Sequence, residues 1–177
     1  SAAPWPATLD VSTLNGNNGF SIYNLQGASI SSAGDINADG IADFMVGDNT
    51  QNSVFVVFGS KAMFPKQFNI LTLDGNNGFT IKGISGEGVG SSISSLGDIN
   101  NDNKDDIAVI GSGAYVIYGS GQKFPAIFSV SLINGTNGFI YPCGASVVGR
   151  AGDFNNDSYS DIVTGYTQGA FGGGRTI

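Results

Sequence analysis

The chain has 177 residues, enough for one domain with a sizeable core, and 41 % of them are hydrophobic. Its net charge of −7, with seven scattered Lys and Arg, excludes the basic surface that a nucleic-acid partner requires. With no histidine and one cysteine, Cys143, imidazole catalysis, an internal disulfide framework and a Cys/His zinc site are excluded as well, and no apolar run is long enough for a membrane helix.

Short runs of Val, Ile, Thr, Phe and Tyr between Gly, Asn, Asp and Ser clusters predict brief strands joined by tight turns, an all-β fold. The chain enters the repeat in register after the few small residues of "SAAPWPATLD", from which a mature end left by signal-peptide removal is the expectation. Next come four strand candidates, "GFSIYN", "ASISSAG", "IADFMVG" and "SVFVVFG", each bounded by turn residues. The series then recurs at a shift of 59 or 60 residues. "LNGNNGF" (14–20) returns as "LDGNNGF" (73–79) and "INGTNGF" (133–139), and "SVFVVFGS" (53–60) returns as "AYVIYGS" (114–120). An aromatic-proline pair leads each copy, so that Trp5 to Phe20, Phe64 to Phe79 and Phe124 to Phe139 are all 15 apart. The repeats run approximately 5–63, 64–123 and 124–177 within one segment, 1–177.

Self-similarity at this period indicates a solenoid or propeller, and four strands per repeat suit a propeller blade. The expectation is a partial β-propeller of four-stranded blades, about three repeats with the last incomplete. "IADFMVG" and "AYVIYG" are apolar at nearly every position, as strands covered on both faces are. Phe20, Phe79 and Phe139 recur in register and are expected in the core between blades. The third copy breaks off at "GGGRTI", where the "SVFVVFG" strand begins, so further blades or neighbouring copies are expected to complete the propeller.

Each repeat also carries an acidic loop, "GDINADGIAD" (34–43), "GDINNDNKDD" (97–106) and "GDFNNDSYSD" (152–161). Oxygen donors at the first, third, fifth and ninth positions, with a backbone carbonyl at the seventh, can surround one hard cation such as Ca²⁺. The first loop offers Asp35, Asn37, Asp39 and Asp43 with the Ile41 carbonyl. The second offers Asp98, Asn100, Asp102 and Asp106 with that of Lys104, and the third Asp153, Asn155, Asp157 and Asp161 with that of Tyr159. The alternative is a set of Asx-type turns with no ion. An EF-hand is excluded, because its twelfth position needs a bidentate Glu and here holds Val46, Val109 and Thr164. The nine candidate aspartates carry −9 of a net −7, so the remainder is +2 and three Ca²⁺ would bring the total to −1. At the sixth position Gly40 suits the positive φ of a sharp turn, Asn103 tolerates it and Ser158 does so poorly, which makes the third loop the weakest of the three.

These elements resemble the FG-GAP repeat family, whose members include the propellers of integrin α subunits. "SSAGDINADGIADFMVG", "SSLGDINNDNKDDIAVIG" and "GRAGDFNNDSYSDIVTG" carry the resemblance, with "VVFGS" and "VIYGS" as the Phe-Gly element. The aromatic-proline and "NGF" elements make the chain more similar to bacterial and simple-eukaryote versions than to animal integrins. The Gly-Ala-Pro element is degenerate, as "VGDNT", "IGSGA" and "TGYTQ". The resemblance implies Ca²⁺ in the acidic loops, about three ions at the positions named above.

No reaction centre emerges. Glu87, in "SGEGVG", reads as a surface-loop carboxylate, and "GEGVG" and "FGGGR" read as turns because they lack the strand-to-helix context of a phosphate loop. The expected function is a calcium-binding extracellular module for adhesion, or for binding a protein or glycan, without catalysis. The alternatives are a structural subunit of an extracellular filament or surface layer, and the accessory propeller of a secreted enzyme. Asn134 in "NGT" is a glycosylation candidate and Asn156 in "NDS" a poorer one, since it lies inside the third loop. Cys143 reads as a small residue in a partly buried turn.

Overall fold

The computed structural model describes residues 7–27, 29–142 and 144–166. The readings made on Trp5, Cys143 and "GGGRTI" lie outside the described residues. Within them the fold is all-β. In chain order the strands are β1 (Ser21–Tyr23), β2 (Ser29–Gly34), β3 (Asp43–Asp48), β4 (Ser53–Val57), β5 (Gln67–Asn69), β6 (Gly78–Lys82), β7 (Ile93–Gly97), β8 (Asp106–Ile110), β9 (Ala114–Ile117), β10 (Ile127–Ser129), β11 (Gly138–Tyr141), β12 (Val147–Gly152) and β13 (Asp161–Gly165). They form two compact units.

The first unit comprises residues 7–25 and 60–72 of the described chain. Here β1 and β5 pair in parallel, with Ile22 opposite Phe68. Phe20 stacks on Phe64 at 4.5 Å between ring centres and meets Phe68 edge-on at 6.2 Å, so the "NGF" and aromatic-proline markers are a packed aromatic cluster. Gly16 is required because a Cβ there would strike the carbonyl of Phe64.

The second unit comprises residues 26–59 and 73–166 and holds three sheets. Their orders are β10-β6-β4-β3-β2, β11-β9-β8-β7 and β12-β13. Every pairing is antiparallel except that of β10 on β6. The first strands of the sheets lie together, β2 packing against β7 and β7 against β12. β4, β8 and β9 are buried along their whole length, as their continuous apolar runs imply. One core cluster joins Val54, Val56, Phe79 and Ile81 to Ile107, Val109, Tyr115 and Ile117. Phe79 stacks on Phe124 at 4.3 Å with rings 2° from parallel, repeating the Phe20–Phe64 arrangement. Burial of such a ring is worth about 1.5–3 kcal/mol. A second cluster gathers Leu96, Ala108, Ile110, Val116 and Val148.

The sheets do not coincide with the sequence repeats. The "GF" strand of a repeat pairs with the last strand of the preceding one: β6 lies on β4 from Val57 opposite Gly78 to Ser53 opposite Lys82, and β11 lies on β9 in the same way. β4 and β9 are fully buried, so their backbone groups need a strand on each edge, and the next repeat supplies it. β5 and β10, three residues each, were not among the sequence candidates.

One device recurs at the end of each first strand. The register slips at Ser32/Gly34, Ser95/Gly97 and Arg150/Gly152, where the three glycines have φ of +67°, +71° and +71°. A β-bulge with glycine in the left-handed region bends the strand, and here it turns the chain into the acidic loop.

Candidate metal centre

Each acidic loop links the first and second strands of its sheet, β2 to β3, β7 to β8 and β12 to β13. The three loops share one set of hydrogen bonds. In the first, the Asp39 N–H donates to Asp35 Oδ1 at 3.0 Å and to Asn37 Oδ1 at 3.1 Å, the Gly40 N–H to Asp35 Oδ2 at 2.9 Å, and the Ile41 N–H to Asp39 Oδ1 at 2.8 Å. The second repeats this with Asp102, Asn103 and Lys104 donating to Asp98, Asn100 and Asp102, and the third with Asp157, Ser158 and Tyr159 donating to Asp153, Asn155 and Asp157. The third-position amide donates to the fifth-position carboxylate in every case, Asn37 to Asp39, Asn100 to Asp102 and Asn155 to Asp157.

The sixth position has the positive φ that the sequence implies, +83° at Gly40, +63° at Asn103 and +76° at Ser158. The third loop therefore adopts the same turn despite its serine. The fourth position is also left-handed, at +58° for Ala38, +61° for Asn101 and +62° for Asn156; asparagine suits this conformation in the second and third loops, whereas Ala38 gives no sign of it in the first. Alanine gives no signal for such a conformation and is strained in it.

The ninth position divides the loops. Asp43 is buried, with Oδ2 accepting the Ile36 N–H at 3.0 Å and Oδ1 the Gly59 N–H at 2.7 Å. Asp106 is buried in the same way between the Ile99 and Gly119 N–H groups, at 3.0 and 2.8 Å. Gly59 and Gly119 belong to the "FGS" and "YGS" elements, and a Cβ at either would strike the carbonyl of the residue just before the aspartate, Ala42 or Asp105. That contact explains why glycine follows the aromatic. Burial pushes the Asp43 carboxyl up to about 6 against the lowering effect of the two N–H groups, and the charges of Asp39 and Asp35 add to the rise. Asp106 is pushed up to about 6 by burial too, with Asp102 and Asp98 adding. Asp161 is half-buried and accepts the Phe154 N–H at 2.7 Å.

The donor chemistry suits a hard divalent cation. All five donors of a loop are oxygens, three of them carboxylates, and in the first and third loops no ion pair with a cationic side chain offsets them among the described residues. In the second, Lys104 Nζ lies 3.2 Å from Asp102 Oδ2. Among the described residues, however, no three Asp, Glu or Cys side chains converge as a metal-holding group. The carboxyls of Asp43 and Asp106 turn toward backbone N–H groups instead. A bound cation would draw on the side chains at the first, third and fifth positions and the seventh carbonyl, with the ninth aspartate holding the loop closed. Coordination would then require the third- and fifth-position side chains to release their mutual hydrogen bond.

Other acidic groups have structural partners. Asp48, fully buried, accepts from Gln26 N–H at 2.8 Å, from the Thr50 hydroxyl at 2.6 Å and from Gln51 Nε2 at 2.7 Å, which ties the β3–β4 turn. Burial opposes its ionisation, but these bonds outweigh it and hold the carboxyl well below the usual range. Glu87 is half-buried rather than a free surface residue. The Tyr115 hydroxyl donates to it at 2.5 Å, the Ser112 hydroxyl at 2.8 Å and the Ile84 N–H at 2.8 Å. The sequence showed no partner because Tyr115 and Ser112 come from the neighbouring hairpin. A cavity of about 230 Å³ borders the second loop, between Asn100 and Asp102 on one side and Tyr118, Gln122, Lys123 and Phe124 on the other. Asn134 is exposed in its turn, its side-chain oxygen accepting from the Thr136 N–H at 3.0 Å.

No helix among the described residues is long and apolar enough to cross a membrane. No family model and no curated protein matches the chain.

Proposed function

We propose that the chain is a calcium-binding segment of a β-propeller of the FG-GAP type, acting outside the cell as a non-catalytic module that holds a protein or glycan partner. One observation carries the reading: the same acidic turn, with the same hydrogen bonds and the same two left-handed positions, recurs at the same place in three successive sheets. The sheets support the propeller part, since their antiparallel order repeats and their first strands lie side by side, as inner strands of blades do. The extracellular part rests on affinity. Modules of this kind bind Ca²⁺ with dissociation constants of about 10⁻⁴ to 10⁻³ M, a range matched to fluids outside cells.

Calorimetric titration with Ca²⁺, paired with thermal unfolding in EDTA and in millimolar Ca²⁺, tests this. Saturable uptake by the loops and a raised midpoint are expected, with each loop contributing about 0.4–1.4 kcal/mol when free Ca²⁺ is about one- to tenfold above its dissociation constant. An unchanged midpoint would leave the loops as Asx turns without an ion.

The filament reading has an observation of its own. Among the described residues β1 and β13 each pair along one edge, whereas β6 pairs along both. Sedimentation of the purified chain separates the two: an ordered polymer supports the filament, and a discrete small species the binding module.

A further inference from the structure

We infer that the first and second acidic loops take up cations as a coupled pair, with Asp105 as the residue that couples them, while the third loop fills independently. The inference rests on the cation reading of the loops.

Asp105 is the eighth residue of the second loop and is half-buried, yet its carboxylate is not turned into its own loop. Its Oδ2 accepts the N–H of Asp35, the first donor position of the first loop, at 2.8 Å. Gly34 makes the approach possible: a Cβ there would collide with the Asp105 side chain. A second link runs through the backbone, where the Ser120 N–H donates to the Ile36 carbonyl at 2.9 Å. Gly119, its neighbour, donates to Asp106 Oδ1, and the Ile36 N–H donates to Asp43 Oδ2. The closing aspartates of the two loops thus stand at opposite ends of one short hydrogen-bonded path.

A cation in the second loop would fix the Lys104 carbonyl, and Asp106 is already fixed by its two N–H partners. The peptide groups on both sides of Asp105 are then immobile, and its carboxylate holds the Asp35 amide in place. Part of the ordering that the first loop requires is thereby completed in advance, which is positive coupling without a large conformational change. The junction between the second and third loops is built differently. Gly97, the counterpart of Gly34, faces the guanidinium of Arg150. Ser160, the counterpart of Asp105, accepts from that same Arg150 at 3.3 Å within its own hairpin. No carboxylate passes from the third loop to the second there.

The test measures Ca²⁺ affinity calorimetrically in the full chain. Asp102→Ala is expected to weaken the first loop about fivefold or more, and Asp39→Ala to weaken the second by the same factor, because coupling between binding sites is reciprocal. Asp157→Ala should change neither. Asp105→Ala should remove most of the mutual effect and speed amide hydrogen exchange at Asp35 in the calcium-free protein. Asp105→Asn, which keeps one acceptor oxygen, should retain the coupling. Asp105→Ser, whose shorter side chain withdraws the acceptor, replaces the alanine variant if that variant does not fold. Independent filling of all three loops, an equal effect from Asp157→Ala, or full coupling in the alanine or serine variant of Asp105 overturns the inference while leaving the cation reading intact. Absence of Ca²⁺ uptake by the unmodified chain overturns both.

Discussion

Ile36 and Phe154 hold the same place in the first and third acidic loops, yet Ile36 is 0 % exposed and Phe154 87 %. The turns themselves match bond for bond. The difference lies in what surrounds them. The first loop receives Gly59 from the end of its own sheet and Ser120 from the end of the next. Among the described residues the third loop receives neither. A short acidic turn can therefore make its own shape, whereas its burial and the energetics of its ninth aspartate are set by strands distant in the chain.

The largest expected effect belongs to that aspartate. Asp43→Ala or Asp106→Ala leaves one buried and one part-buried N–H group without acceptors, at about 1–3 kcal/mol each. The loss should reach about 2–5 kcal/mol in denaturant unfolding, against about 1 kcal/mol for Asp161→Ala. Equal losses at all three positions would show that the neighbouring strands contribute nothing.

A pH series sharpens the same contrast. Asp43 and Asp106 are pushed up to about 6 in the folded chain, so folding favours their protonated forms. That contribution is complete below the ordinary carboxylate range and is lost as pH rises through about 6. In EDTA the unfolding midpoint should fall over this window. Saturating Ca²⁺ should lessen that fall, because a cation held beside Asp43 and Asp106 favours their ionised forms. The double variant Asp43→Asn/Asp106→Asn should flatten the EDTA profile.

Substitution at the fifth position should affect each loop's own cation uptake and leave the fold in place. Asp39→Ala or Asp102→Ala should abolish the binding heat of its own loop, with far-ultraviolet circular dichroism unaltered. Asp157→Ala should cost the least stability of the three, because its loop is largely exposed. The smallest effect is expected at the left-handed positions. Ser158→Gly and Ala38→Gly should each stabilise by about 1 kcal/mol by removing Cβ strain, and Asn103→Gly by less.

These contrasts also mark how far the sequence could be read. The acidic turns, their sixth-position φ and the strands covered on both faces were legible because each is written in adjacent residues. Ala38 was not, since alanine carries no preference for the conformation it adopts there. The pairing of β6 with β4 runs from one repeat to the next and was not legible, because a repeat in sequence shows which strands recur and not which edges meet. The bond from Asp105 to Asp35 joins residues in different repeats, and no local pattern announces it.

The sheet β10-β6-β4-β3-β2 takes β2, β3 and β4 from the first repeat, β6 from the second and β10 from the third. A ribosome emitting this chain releases β4 with one edge bare, and the sheet is finished only when Ser129 has emerged. Until then an apolar strand awaits its partner, the state in which nascent β proteins are most exposed to aggregation. The pace of translation between Val57 and Lys82, rather than the stability of the finished sheet, then sets how long β4 remains uncovered.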